Sequence, residues 1–167
     1  MYIFAHVGLV LGAVLVLAYL LKWDLASIDI RVLLWGAMLP DIIDKPLAFI
    51  NLTAGRAYAH TFVFFTGTVL LGLYFTKKEL PYGVASHLVL DGIWHNPAVI
   101  LWPVGGKTLL SSQYDFAYYW NQLFENKYLQ ITEVIGVFII VEVIIRFSLY
   151  RKEHILTLIR KGRIWRN

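Results

Sequence analysis

In the stretch Ser86-His87-Leu88-Val89-Leu90-Asp91-Gly92-Ile93-Trp94-His95, two imidazoles and a carboxylate recur every four residues. On a helix each step of four turns only about 40°, so the spacing predicts that His87, Asp91 and His95 line one side and that His87 and Asp91 can bind one ion or adjacent ions. His6, the pair Asp41 and Asp44, and His60 occupy or border other apolar segments. Neutral imidazole with carboxylate suits zinc, manganese or iron, whereas carboxylates alone would favour magnesium or calcium. The chain has no cysteine, which excludes thiolate ligands, disulfides and a cysteine nucleophile. The expected cofactor is one or two divalent ions, zinc first, with manganese or iron as alternatives.

Ionisable groups are costly inside apolar helices, where they face a cavity, a partner or a pathway. The surroundings here are apolar: of 167 residues, 59% are hydrophobic and 16% charged, a composition foreign to soluble domains. Runs such as Val7 to Leu21, Thr61 to Phe75 and Ile131 to Ile145 approach the roughly 20 residues that a helix needs to cross a bilayer. The expected fold is all-α, a polytopic membrane helical bundle. It has about five embedded segments, near 3–21, 31–50, 58–76, 82–102 and 131–150, with breaks near Pro40 and Pro97. Residues 1–150 are read as one transmembrane domain and 151–167 as a basic amphipathic cytoplasmic tail.

The first segment lacks a basic n-region and a small-residue cleavage site, which argues for a retained span. Arg146, Arg151, Lys152, Arg160, Lys161, Arg163 and Arg166 crowd one end, and basic residues are retained on the cytoplasmic side. The expected topology is a multi-pass cell-membrane protein with its N-terminus outside and its C-terminus in the cytoplasm. Lys22, Arg31, Lys77 and Lys78 then lie inside, and Lys45, Arg56, Lys107 and Lys127 outside. The tail's charge fits an anionic leaflet better than nucleic acid, which is not an expected partner. The aromatic-rich stretch Tyr114 to Gln130 reads as an interfacial anchor, the alternative being a lid over a lipid groove. Glu142 and Arg146 are placed to pair, and Asn51-Leu52-Thr53 matches a glycosylation sequon that chance also supplies. This topology sets His6, Asp44 and His60 toward the outer face but His87 near the inner end of its span. A common site then needs a tilted fourth segment or short re-entrant second and third ones.

Four motifs in order, Phe4-Ala5-His6-Val7-Gly8, Met38-Leu39-Pro40-Asp41-Ile42-Ile43-Asp44, Arg56-Ala57-Tyr58-Ala59-His60-Thr61 and His87-Leu88-Val89-Leu90-Asp91, resemble the membrane-bound metal-dependent hydrolase family. The resemblance covers roughly residues 1–95. That family is in turn similar to the all-helical zinc-dependent phospholipase C and nuclease fold, which implies phosphoester hydrolysis. The resemblance also implies His6, Asp41, His60, His87 and Asp91 as metal ligands and Asp44 as a ligand or base. One motif departs from the family pattern: Gly55 stands where a histidine usually precedes the arginine. A reduced metal complement or lost activity would follow from that change, unless His95 substitutes.

The expected function is a membrane-embedded, metal-dependent hydrolase of a phosphoester or lipid-linked substrate such as a phospholipid. Metal-activated water would attack, Asp44 or Asp91 would accept its proton, and the planar fork of Arg56 would clamp the phosphate. Two other classes remain open. Buried His and Asp also build metal or proton transport pathways, and a catalytically inactive scaffold would use His87 and Asp91 as interhelical glue and Asp41 and Asp44 as helix caps.

Overall fold

A computed structural model describes residues 1–50, 52–53, 55–104 and 116–164, with the backbone alone for 116–119. Asn51, Lys107, Tyr114 and Arg166 lie outside the described residues. Among these residues every regular element is helical. The order is α1 (Ile3–Leu21), α2 (Ile30–Phe49), α3 (Phe62–Tyr74), α4 (Glu79–Leu90), α5 (Pro97–Ile100), α6 (Phe116–Glu125), α7 (Lys127–Arg146) and α8 (Lys152–Lys161), with 3-10 turns at Leu25–Ser27, Tyr58–His60 and Ile93–His95.

Helix ends follow local chemistry. α1 stops where Lys22 turns left-handed and its N–H returns to the Ala18 carbonyl. Thr61 caps α3 by accepting from the Phe64 amide at 3.1 Å, and Asn126 caps α7 by accepting from the Tyr128 and Leu129 amides. Tyr2 offers α1 no side-chain cap. Glu133 of α7 supplies it instead, with Oε1 accepting from the Tyr2 amide at 2.9 Å and Oε2 from the Phe4 amide at 3.0 Å. In hydrocarbon such orphan amides have no water to fall back on.

Two pairs of helices that run in the same direction form the frame. α1 crosses α7 where Gly8 meets the Gly136 backbone. α2 crosses α4 at Gly36 and Gly83, so close that a Cβ added at Gly83 would lie 2.8 Å from Gly36 Cα and 2.6 Å from the Ala37 nitrogen. Small residues at crossings are how helices pack in lipid, where association rests on van der Waals fit. Val10, Leu11, Ile30, Leu33 and Val143 fill the space between the pairs.

The expectation of about five spans is not met. Among the described residues only α1 and α7 are long and apolar enough to cross a bilayer, and α3 is apolar but has 13 residues. α2 has the length but carries Arg31, Asp41, Asp44 and Lys45, and α4 ends after 12 residues. Pro40 does not break α2 either; it sits inside a continuous helix together with Pro46. In the fourth segment the stop comes earlier than expected, at Asp91 followed by Gly92 with φ +61°, a conformation that glycine adopts without steric cost.

The basic C-terminal segment is tied to the bundle rather than hanging from it. Gly162 accepts from the Ile30 amide at 2.8 Å, Arg31 donates to the Ile159 carbonyl at 2.7 Å, and Ile164 is buried in the core. At the same end Asp29 pairs with Arg31 and with Lys77, each at 3.0 Å. Burial pushes the Asp29 carboxyl up, but the bonds to Arg31 and Lys77 outweigh it and hold the group down at about 2. The ordinary Glu142–Arg146 pair also forms, at 3.1 Å.

Two outcomes follow from these contacts. Gly83→Ala is expected to cost about 1–3 kcal/mol through overpacking, read as a lower thermal midpoint in detergent, whereas Gly67→Ala, with open space around it, leaves the midpoint unchanged or raises it. Because the folded-state pKa of Asp29 is depressed, its contribution is complete above the usual carboxylate range and is lost as pH falls through about 2. The midpoint measured against pH should show that acid loss, and Asp29→Asn should flatten it.

Candidate metal centre

Every motif residue delivered by the frame lies at one end of the bundle. His6 comes from the first turns of α1 and Asp41 and Asp44 from the second half of α2. His60 closes the 3-10 turn before α3. His87 ends α4, and Asp91 is the residue on which that helix stops. Because α4 is short, His87 lies at the same end as the others, and no tilted span or re-entrant loop is required.

His87 is oriented from behind. Its Nδ1 donates to the Ala37 carbonyl at 2.6 Å, one residue beyond Gly36, whose carbonyl loses its helical donor to Pro40. His60 is oriented in the same way by a carboxylate: its Nδ1 donates to Asp44 Oδ2 at 2.7 Å. Asp44, fully buried, also accepts from the Ala57 amide at 2.7 Å and the Ala59 amide at 3.1 Å. A carbonyl and an ionised carboxylate only accept, so both Nδ1 atoms carry a proton, and in the neutral rings both Nε2 atoms present lone pairs. Those two Nε2 atoms face each other at 3.1 Å.

Two carboxylates complete the ring. Asp41 Oδ1 lies 3.7 Å from His87 Nε2 and 3.9 Å from His60 Nε2, and Asp91 Oδ2 lies 3.9 Å and 3.7 Å from the same atoms. Asp41, His60, His87 and Asp91 each offer one ligand atom, all within 4.8 Å of one another. Zinc bonds of about 2.0–2.2 Å imply tetrahedral edges of roughly 3.3–3.6 Å; the imidazole pair falls just short of that edge and the imidazole–carboxylate spacings exceed it by a few tenths of an ångström. The donor set therefore fits a divalent cation.

His6 is fully buried, stacks on His87 with ring centroids 4.0 Å apart, and has no hydrogen-bond partner at either nitrogen. Three cationic groups face the carboxylates from outside: Lys45 Nζ at 2.5 Å from Asp41 Oδ2, Arg56 Nε at 2.9 Å from Asp91 Oδ2, and the Met1 amine at 2.6 Å from Asp91 Oδ1. They border a cavity of about 920 Å³ that is also lined by Tyr2, Trp94, His95, Asn96, Gln122 and Tyr128.

His95 does not join the ligands. The turn at Gly92 takes it off the His87 face, leaving it exposed in the cavity wall, where Trp94 Nε1 donates to its Nε2 at 2.9 Å. Gly55, the departure in the third motif, also lines this cavity. Two residues went unread in the sequence. Lys45 follows Asp41 by one helical turn, a spacing that was visible, whereas the capping role of Glu133 depends on a partner more than a hundred residues away and leaves no local signal.

A family model described as the YdjM inner membrane protein matches residues 1–155. The chain belongs to the YdjM inner membrane protein family. That membership agrees with the two apolar helices and the all-helical fold and speaks to membrane location, not to a reaction. No curated protein and no solved structure matches the chain.

The geometry separates the four residues that could hold an ion from the groups that stand behind them. Asp91→Ala is expected to abolish bound metal, measured by elemental mass spectrometry of the detergent-purified protein. Asp44→Asn should instead weaken affinity about 10- to 100-fold, the usual loss when the partner behind a ligating histidine is removed, measured by competition with a metal-chelating dye.

Proposed function

We propose that this protein is a membrane-embedded metal-dependent hydrolase acting on a phosphoester, in or beside the lipid. The observation that carries the reading is the pair of Nε2 atoms at 3.1 Å, oriented by bonds at both Nδ1 atoms and flanked by two buried carboxylates. Two lone pairs held face to face repel unless a proton or a metal cation lies between them. A divalent cation bound there, zinc first and manganese or iron next, supplies Lewis acidity and a reactive water near neutral pH.

The chain's own residues then divide the work. His60, His87, Asp41 and Asp91 hold the ion, and Asp44, with its oxygens taken up by two amides and the His60 ring, acts as the residue that fixes His60 rather than as a base. Lys45 and Arg56 stand on the cavity side of the carboxylates, where cationic side chains would receive an anionic phosphoryl group. The cavity's aromatic and amide lining would take the remainder of the substrate.

A transport reading is less well supported. A transporter must open its site to both faces in turn, whereas here the cavity approaches from one end and the opposite side is filled by Val10, Leu11, Leu33 and Val143. With the C-terminus in the cytoplasm, the end bearing the site faces outward.

Detergent-purified protein loaded with zinc or manganese is expected to hydrolyse a chromogenic phosphoester. His87→Ala should remove turnover together with the metal. Arg56→Ala should keep the metal but raise KM roughly 10- to 100-fold, the scale of a lost hydrogen bond to a charged group. Protein that holds no metal after reloading with zinc, manganese or iron would overturn the reading.

A further inference from the structure

The densest charge of the chain lies at the end of the bundle opposite the metal centre. Residues 151–163 hold Arg151, Lys152, Arg160, Lys161 and Arg163 against Glu153 alone, a surplus equal to the +4 of the entire chain. All five basic residues are exposed. In sequence this surplus reads as a tail suited to an anionic leaflet; the fold gives it a fixed position and a defined face.

Only residues 147–151 separate α7 from α8. Ser148 turns left-handed at φ +50°, and the Leu149 amide reaches back to the Ile144 carbonyl at 2.8 Å, so the chain leaves the axis of α7 at once. Both ends of α8 are then tied down. His154 Nδ1 donates to the Phe147 carbonyl at 3.0 Å, and past the other end Gly162 accepts from the Ile30 amide. Arg31 donates to the Ile159 and Arg160 carbonyls. The helix therefore lies across the end of the bundle, from the foot of α7 to the start of α2, at the level where the apolar stretch of α7 gives out.

Held there, α8 presents three arcs. Leu158 packs on the core between the helix pairs. Ile155 and Ile159, about 40° apart and roughly 60–100° round from Leu158, are 43% and 59% exposed. Glu153 and Arg160 stand on the side away from Leu158. One arc on protein, one apolar arc left open and one charged arc suit a helix lying in the plane of an interface. Charge identifies what covers the isoleucines: an apolar stripe bordered by cations fits a surface with hydrocarbon beneath and negative headgroups above.

We propose that α8 and the start of α2 form a binding site for anionic phospholipid, distinct from the metal centre. Ile155 and Ile159 enter the acyl region, and Lys152, Arg160, Lys161 and Arg163 meet the phosphate groups. The bundle adds charge of its own. Arg31 and Lys77, partly exposed, share the single carboxylate of Asp29, which leaves one positive charge uncompensated beside the Ile159 and Arg160 carbonyls. A freely hanging basic tail would lack that contribution.

The site does not depend on the metal centre, and its test leaves that end untouched. Because the chain has no cysteine, Ile159→Cys and Glu153→Cys each give the full chain one attachment point for a nitroxide, at exposed positions where folding is not at stake. In nanodiscs of phosphatidylcholine with phosphatidylglycerol, the label at 159 is expected to be relaxed by oxygen and shielded from an aqueous nickel chelate, and the label at 153 the reverse. A label at 159 as open to nickel as the one at 153 would overturn the proposal and leave this face to a soluble partner. Headgroup preference is read by titrating each lipid into the detergent-purified chain, followed by native mass spectrometry. Phosphatidylglycerol should bind about tenfold or more tighter than phosphatidylcholine at low salt, and Arg160→Gln with Lys161→Gln should weaken it about 10- to 30-fold, the scale of two basic residues at an anionic surface. Equal affinity for the two lipids, or a preference undiminished in the double variant, would overturn the assignment.

Discussion

A backbone amide deprived of water must find an acceptor, and in hydrocarbon the obligation is strictest. This bundle meets it with carboxylates reaching across from other segments. Glu133 takes the first amides of α1, Glu79 takes the Asp29 amide at the start of α2 at 3.2 Å, and Asp44 takes the amides of Ala57 and Ala59 ahead of α3. Each bond fixes a helix start against a different element. His6 follows the capped start of α1, and His60 follows the Ala59 amide in the turn ahead of α3, so the positions of both imidazoles are inherited from the satisfaction of backbone amides. Ala37 extends the logic in the other direction: beside the proline that leaves a helical carbonyl short of a donor, it offers its own oxygen to His87.

Much of the candidate site was legible in the sequence because its chemistry is unusual where it occurs. Histidine and aspartate in apolar runs are rare enough to be informative, and His6, Asp41, Asp44, His60, His87 and Asp91 do converge at one end. Their division into candidate ligands and supports was not legible. Asp41 and Asp44 differ by three positions on one helix, and only the fold shows that Asp41 meets the ring of Nε2 atoms while Asp44 stands behind His60.

The misjudged elements share a cause, which is that hydropathy records composition and not chain direction. The apolar residues after Gly92 made 82–102 look like one span, but they belong to a 3-10 turn and the four-residue helix α5, so His95 leaves the His87 face. Glycine after an aspartate was the available sign of that stop. At Pro40 the error ran the other way, since a proline within a helix packed tightly on α4 is tolerated when neighbouring groups take up the freed carbonyls. The count of spans fell from about five to two for the same reason: α2 carries its site residues along its length, and α4 is too short to cross.

The cap on α1 also sets an order of events during synthesis. His6 is made well before the residues that fix it: the carboxylate that caps its helix belongs to residue 133, and the glycine against which that helix packs belongs to residue 136. Until α7 has left the ribosome and entered the membrane, the opening turn of α1 lacks its acceptor. His60, His87, Asp41 and Asp91 can gather on the α2 and α4 frame while His6 waits. The histidine of α1 is thus the last of the set to be locked, after α7 has been made and packed.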